Sequence, residues 1–190
     1  MQYLNQLELK HLPYETNMAH GGNPPERRTV ASSGCGLCST CMAVELLTDK
    51  TLSVEECRQL SYDTGANHSP GTDLDLLGPV VAEKLAISYR GTASLTEVIS
   101  HLQSGGAVVA RMGKSLFTDR SHYILLVAYA DGEFCILDPS YTPEKYHLPG
   151  REGKVNDKNA PFLYTSKDTL HAHTAWNKPK YHLFWRKAEG

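Results

Sequence analysis

An α+β domain built around an antiparallel sheet is predicted by three features of this 190-residue sequence. Segments with helix-capping patterns fill the first half, and short β-branched and aromatic runs follow Gly106. An Asp131-Gly132 pair separates two of those runs, which is a strong hairpin signal. With 41% hydrophobic residues, the chain can bury one proper core, so residues 1–190 are read as a single domain.

Residues 7–15 (LELKHLPYE) read as an initial extended segment. Residues 16–30, rich in Gly, Pro, Asn and charge, read as a loop. Residues 36–47 are small or apolar with one charge, Glu45, which predicts a helix buried on most sides. Capping patterns at Ser53 with Glu56, Thr72 with Asp75, and Ser94 with Glu97 mark three further helix starts. Pro79 is expected to interrupt or restart the second of these, and Gly105 and Gly106 to end the third. Strands are predicted over Ala107–Met112, His122–Ala130, Glu133–Leu137 and Tyr181–Arg186. Residues 140–178 are polar and read as a long loop on the substrate side.

Nineteen basic residues nearly cancel twenty-one acidic ones, which argues against a nucleic-acid binder. No apolar run approaches the ~20 residues that span a bilayer, so no membrane span is expected. The N-terminus has neither the basic start nor the apolar stretch of a signal peptide, and a cytoplasmic location is the expectation. The five cysteines are odd in number, and Cys35, Cys38 and Cys41 crowd into seven residues. That is a poor disulfide framework, and at least one thiol should be free.

Cys35 stands at the expected N-terminus of the buried helix, where unpaired N–H groups and the helix dipole favour a thiolate. Its neighbours Gly34 and Gly36 are expected to permit a sharp turn and close approach of a substrate backbone. His122 opens the strongly apolar strand HYILLVAYA, and Asp138 ends the next one in the sequence LDP. The hairpin sets the start of one strand beside the end of the other, making His122 and Asp138 near neighbours. A carboxylate in that position fixes the imidazole's tautomer and stabilises its charged form. The three residues form a candidate nucleophile, base and orienting group.

Two segments resemble the C39-like cysteine peptidases, a branch of the papain-like fold. TVASSGCGLCSTCMAVELL is similar to their nucleophile segment, and SHYILLVAYADGEFCILDPS to their histidine-aspartate segment. The resemblance covers roughly residues 8–140. It implies a nucleophile helix packed on a C-terminal antiparallel sheet, and cleavage of a peptide or related amide bond through a thioester acyl-enzyme. No cofactor and no metal are expected. The family's Pro and Thr after Cys-Gly are replaced here by Leu37 and Cys38, and no Gln lies between Leu7 and Cys35 to supply an oxyanion donor. Asn17, after PYET, carries the same kind of amide and is the candidate donor.

Three other readings compete. Cys35-Gly36-Leu37-Cys38 resembles the redox motif of thioredoxins, but no βαβ context surrounds it. The CxxCxxC spacing lacks a fourth metal ligand, and His171 and His173 lack a neighbouring carboxylate or cysteine. A non-catalytic binding module would have no use for a complete Cys-His-Asp set.

Overall fold

A computed structural model describes residues 1–15, 23–68, 71–174 and 180–187. Its helices are α1 (Val30–Ser33), α2 (Cys35–Leu47), α3 (Val54–Asp63), α4 (Leu74–Leu85), α5 (Leu95–Gln103) and α6 (Lys167–His173). Its strands are β1 (Ile87–Thr92), β2 (Ala107–Met112), β3 (His122–Ala130), β4 (Glu133–Leu137), β5 (Asn156–Asn159), β6 (Phe162–Ser166) and β7 (Tyr181–Arg186). The seven strands form one sheet in the order β1-β7-β2-β3-β4-β6-β5, with antiparallel pairing throughout. The four expected strands appear with the expected bounds, and the fold is α+β as predicted.

Both faces of the sheet are covered, because strand side chains alternate. Val109, Leu125 and Leu137 face a core built with α2, α3 and α4. Val108, Ile124 and Ile136 face a second core that includes Val98 and Leu102 of α5 and Leu170 of α6. Helix α2 is buried at ten of its thirteen residues, which explains its lack of an amphipathic pattern. It runs through the first core and carries Cys35 at its first position.

The caps at Ser53 and Ser94 form as expected: each side chain accepts the N–H three residues on. The α4 cap moves by one residue. Asp73 accepts from the Asp75 N–H, while the Thr72 hydroxyl bonds Tyr14 at 2.9 Å. Pro79 lies inside α4 and does not break it. In the N-terminal segment, residues Gln6–Glu8 form a 3-10 turn instead of extended chain. The 140–178 stretch holds more structure than its polar composition suggests. It contributes β5, β6 and α6, and it extends the sheet beyond β4.

Asp131 and Gly132 both have positive φ, at 53° and 85°, which is the two-residue hairpin turn their sequence favours. The hairpin is not regular. Ala130 pairs with Glu133 and Ala128 with Cys135, but Leu126 then pairs with Ile136, leaving Val127 as a bulge. Paired residues share a face, so this single extra residue decides which way Asp138 points.

Candidate active site

The bulge puts His122 and Asp138 on one face. Leu125 pairs with Leu137, so His122, three residues before Leu125, and Asp138, one after Leu137, both alternate to the opposite side. Without the bulge, Leu125 would pair with Asp138 and turn the carboxylate away from His122. In the folded chain His122 Nε2 lies 2.7 Å from Asp138 Oδ1. A carboxylate only accepts, so Nε2 carries the proton and Nδ1 is the ring nitrogen left to serve the Cys35 thiol, which lines the same cavity as His122.

Helix α2 meets the start of β3 at its first turn. The backbone N–H groups of Tyr123 and Gly36 help to lower the Cys35 thiol, and the Ser39 hydroxyl donates to the Tyr123 carbonyl at 3.4 Å. Gly36 makes this approach possible: a Cβ there would sit 2.9 Å from Thr72 Cβ and 3.2 Å from Tyr123 Cδ2. A Cβ on Gly34 would meet the Val30 carbonyl oxygen at 2.7 Å. Gly34 has a φ of −94°, so packing, and not a sharp turn, requires glycine there.

Burial alone would push the Cys35 thiol up, but the hydrogen bond and charge of His122 and the two N–H groups outweigh it, and the thiol is lowered overall. Burial would likewise lower His122, and the charge of Asp138 overrides it, raising the imidazole. Asp138 is fully buried. Desolvation opposes its ionisation, yet Lys145 and His122 hold it well below the usual carboxylate range. Its Oδ1 also accepts the Ser140 N–H at 2.9 Å, and its Oδ2 accepts Lys145 Nζ and Tyr146 Oη, both at 2.5 Å. The surroundings thus favour a thiolate beside an imidazolium, held by an ionised carboxylate.

Cys35 sits between two polar cavities. One, of about 250 Å³, is lined by Gly71, Thr72, Asp73 and Tyr123 among others. The second, of about 290 Å³, includes Gln6, Arg27, Ser33, His122 and Ser140.

Of the sequence candidates, the structure brings Cys35, His122 and Asp138 together, while Asn17 lies outside the described residues. Sequence reading missed Gln6, one residue before the interval in which a glutamine was sought. It is buried in the second cavity, its backbone N–H bonds Pro139 O at 2.7 Å, and its amide nitrogen donates to Ala31 O at 2.8 Å. It therefore joins the loop after Asp138 to the turn before Cys35, a long-range role with no local sequence signal. Lys145 and Tyr146 were missed for the same reason.

The other cysteines differ from Cys35. Cys38 is fully buried and its thiol is pushed up by desolvation. Cys41 is raised chiefly by its hydrogen bond with Cys57, and then by burial. Among the described residues no group of three His, Cys, Asp or Glu side chains stands together as metal ligands. His171 and His173 lie in α6, where residues two apart do not share a face, and not in the strand that would align them. No described helix is long and apolar enough to cross a membrane.

None of the curated proteins is significantly similar to the chain. Solved structures that share its fold include two of peptidases. The peptidase domain of Streptococcus ComA, a bi-functional ABC transporter involved in quorum sensing, is 16% identical with a TM-score of 0.52. That alignment covers 80% of this chain and 91% of the domain. A structure assigned to the C39-like peptidases, from Bacillus anthracis, is 12% identical with a TM-score of 0.63, over 99% of this chain and 96% of that one. The model of the Peptidase_C39 like family matches residues 2–170, well beyond the two motif segments. The chain therefore belongs to the Peptidase_C39 like family and is a cysteine peptidase-like hydrolase.

Proposed function

We propose that this hydrolase cleaves peptide bonds through a Cys35-His122-Asp138 triad. The observation that carries the reading is the position of His122, with one ring nitrogen on the Asp138 carboxylate at 2.7 Å and the other facing the Cys35 thiol. The Cys35 thiolate attacks the scissile carbonyl carbon, and the His122 imidazolium protonates the leaving amine. Water, deprotonated by the now neutral His122, then hydrolyses the thioester and regenerates the thiol. Asp138 keeps the ring in the tautomer and orientation both steps need. The Cys35 backbone N–H, at a helix N-terminus, is one donor to the oxyanion. Cavities on both sides of the sulfur suit a peptide that crosses Cys35 in extended form.

A thiol-disulfide oxidoreductase using Cys35 and Cys38 is not favoured. Its resolving thiol would be fully buried and held protonated.

The test is a peptide-library digest read by mass spectrometry, with wild type against Cys35→Ala and His122→Ala. Wild type is expected to cleave, and both variants to lose at least ~1000-fold in rate. Cleavage that persists in Cys35→Ala would refute the mechanism. Iodoacetamide gives a control that needs no substrate. Cys35 should alkylate at a lower pH than a free thiol, and His122→Ala should remove that advantage.

A further inference from the structure

Asp138 has a second cation. Lys145 opens the 3-10 turn Lys145–His147, and its ammonium donates to Asp138 Oδ2 at 2.5 Å and to Ser140 Oγ at 2.7 Å. Its side chain is only 11% exposed, and the carboxylate beside it is completely buried. The neighbouring Tyr146 hydroxyl donates to the same Oδ2 at 2.5 Å, leaving Oδ1 to His122 and to the Ser140 N–H and hydroxyl. The two oxygens of one carboxylate are thus divided, one for the imidazole and one for a buried ammonium. Burying an ammonium is costly, and here it is fully spent on a carboxylate of the proposed triad.

We propose that Lys145 is a positioning and charge-tuning residue for the His122-Asp138 pair, holding Oδ1 toward the imidazole while limiting how tightly the carboxylate retains the imidazolium proton. This rests on the triad reading above. A buried carboxylate facing a single imidazolium would bind that proton strongly, and His122 must release it to the leaving amine. Lys145 shares the carboxylate's charge and opposes a second positive charge nearby. Ser140 Oγ lies 2.7 Å from Lys145 Nζ and 3.1 Å from His122 Nε2, so the two nitrogens stay within roughly 6 Å of each other. At ~6 Å and an effective dielectric of ~20, one unit charge shifts a proton equilibrium by about two pH units.

The other groups facing the pair come from several elements. Cys35 approaches from α2. Tyr3 donates to the Asp138 backbone carbonyl at 2.5 Å, and Arg27, Asp119 and Arg120 line the cavity in front of His122. Among the described residues, Lys145 and His122 are the two groups that form ion pairs with Asp138. The identity of residue 145 is therefore the direct handle on the carboxylate's charge.

The experiment follows the rate of Cys35 alkylation by iodoacetamide against pH, which requires no substrate. In wild type the rate should rise twice, first as the thiolate-imidazolium pair forms and again as His122 loses its proton. Lys145→Met and Lys145→Gln are each expected to move the upper step at least one pH unit higher, because Asp138 keeps four neutral or imidazole donors and stays ionised. Lys145→Arg, which keeps the charge, is expected to leave that step within about 0.3 units of wild type. An upper step that stays put or moves down in the neutral variants overturns the proposal. So does failure of both neutral variants to fold while Lys145→Arg folds, which would make Lys145 a structural counter-ion alone. The triad reading fails separately, if wild type shows one step at the position of a free thiol and His122→Ala leaves it unchanged.

Discussion

Replacing Asp138 by asparagine keeps the shape of the side chain and removes its charge, which tests the buried network directly. In the native chain the carboxylate accepts from His122, Ser140, Lys145 and Tyr146. Asparagine keeps one acceptor oxygen, and its NH₂ group points toward donors. The ammonium of Lys145, with a side chain 11% exposed, then loses its counter-ion in a dry site. Breaking a buried pair from one side costs about 3–5 kcal/mol. In a chain of this size, ~2–4 °C per kcal/mol gives a melting point lowered by roughly 6–20 °C. Because the Asp138 pKa is depressed, its contribution is fully present above the ordinary carboxylate range and drains away as pH falls through the native value. The gap between wild type and Asp138→Asn should therefore be widest near neutral pH and close in acid. Lys145→Met in the Asp138→Asn background removes the stranded charge and should recover most of the stability, giving a coupling energy of ~2–3 kcal/mol. Urea unfolding of the four proteins at pH 7 measures this. A single-variant loss under ~1 kcal/mol, or no recovery in the double variant, would refute the account of the network.

Two further outcomes follow from the packing around Cys35. Alanine at Gly36 gains ~1 kcal/mol of intrinsic helix preference but meets Thr72 and Tyr123 at 2.9 and 3.2 Å. Overpacking costs about 1–3 kcal/mol, so Gly36→Ala should be net destabilised, with slower alkylation of Cys35 as α2 shifts from β3. A stabilised variant with unchanged alkylation would show that the contact yields freely. Gln6→Ala leaves the Ala31 carbonyl without its amide donor and should cost about 1 kcal/mol in urea unfolding. Because Gln6 ties the loop after Asp138 to α1, the same variant should also slow Cys35 alkylation; an unchanged rate would mean the tie has no bearing on the site.

The elements legible in the sequence are those whose pattern is local. Strands β2, β3, β4 and β7 are dense in Val, Ile, Leu and aromatics because their core faces are buried, and they stand where the composition put them. Helix α2 was legible for the same reason. Strand β1, ISYRGT, has a mixed surface and exists through its pairing with β7, a contact of high sequence separation. Strands β5 and β6 likewise complete the sheet beyond β4, and the polar sequence of β5 is what an exposed edge strand requires. Thr72 carried a good capping signal and lost the cap to Asp73, because Tyr14 from a distant segment took its hydroxyl.

The Cys35-His122-Asp138 contact was legible as a set of residue types, but the reason it closes was not. An ideal hairpin from Asp131-Gly132 brings the ends of β3 and β4 together and turns His122 and Asp138 to opposite faces. Only the bulge at Val127 corrects the parity, and nothing in the run LLVAYA marks that residue as the one left over. The bulge is decided by the two cores that the hairpin's side chains must enter. Leu125 and Leu137 must enter the core under α2 while Ile124 and Ile136 enter the core beneath α5, and Phe134 must join that second core from near the turn. The register set by the two-residue turn would carry Leu125 and Ile136 to one face, although they belong to opposite cores, so the strand absorbs one residue. The catalytic geometry proposed here is thus a consequence of core packing on both faces of the sheet. Lys145 and Tyr146 then act on the far oxygen of a carboxylate whose direction that packing has already set.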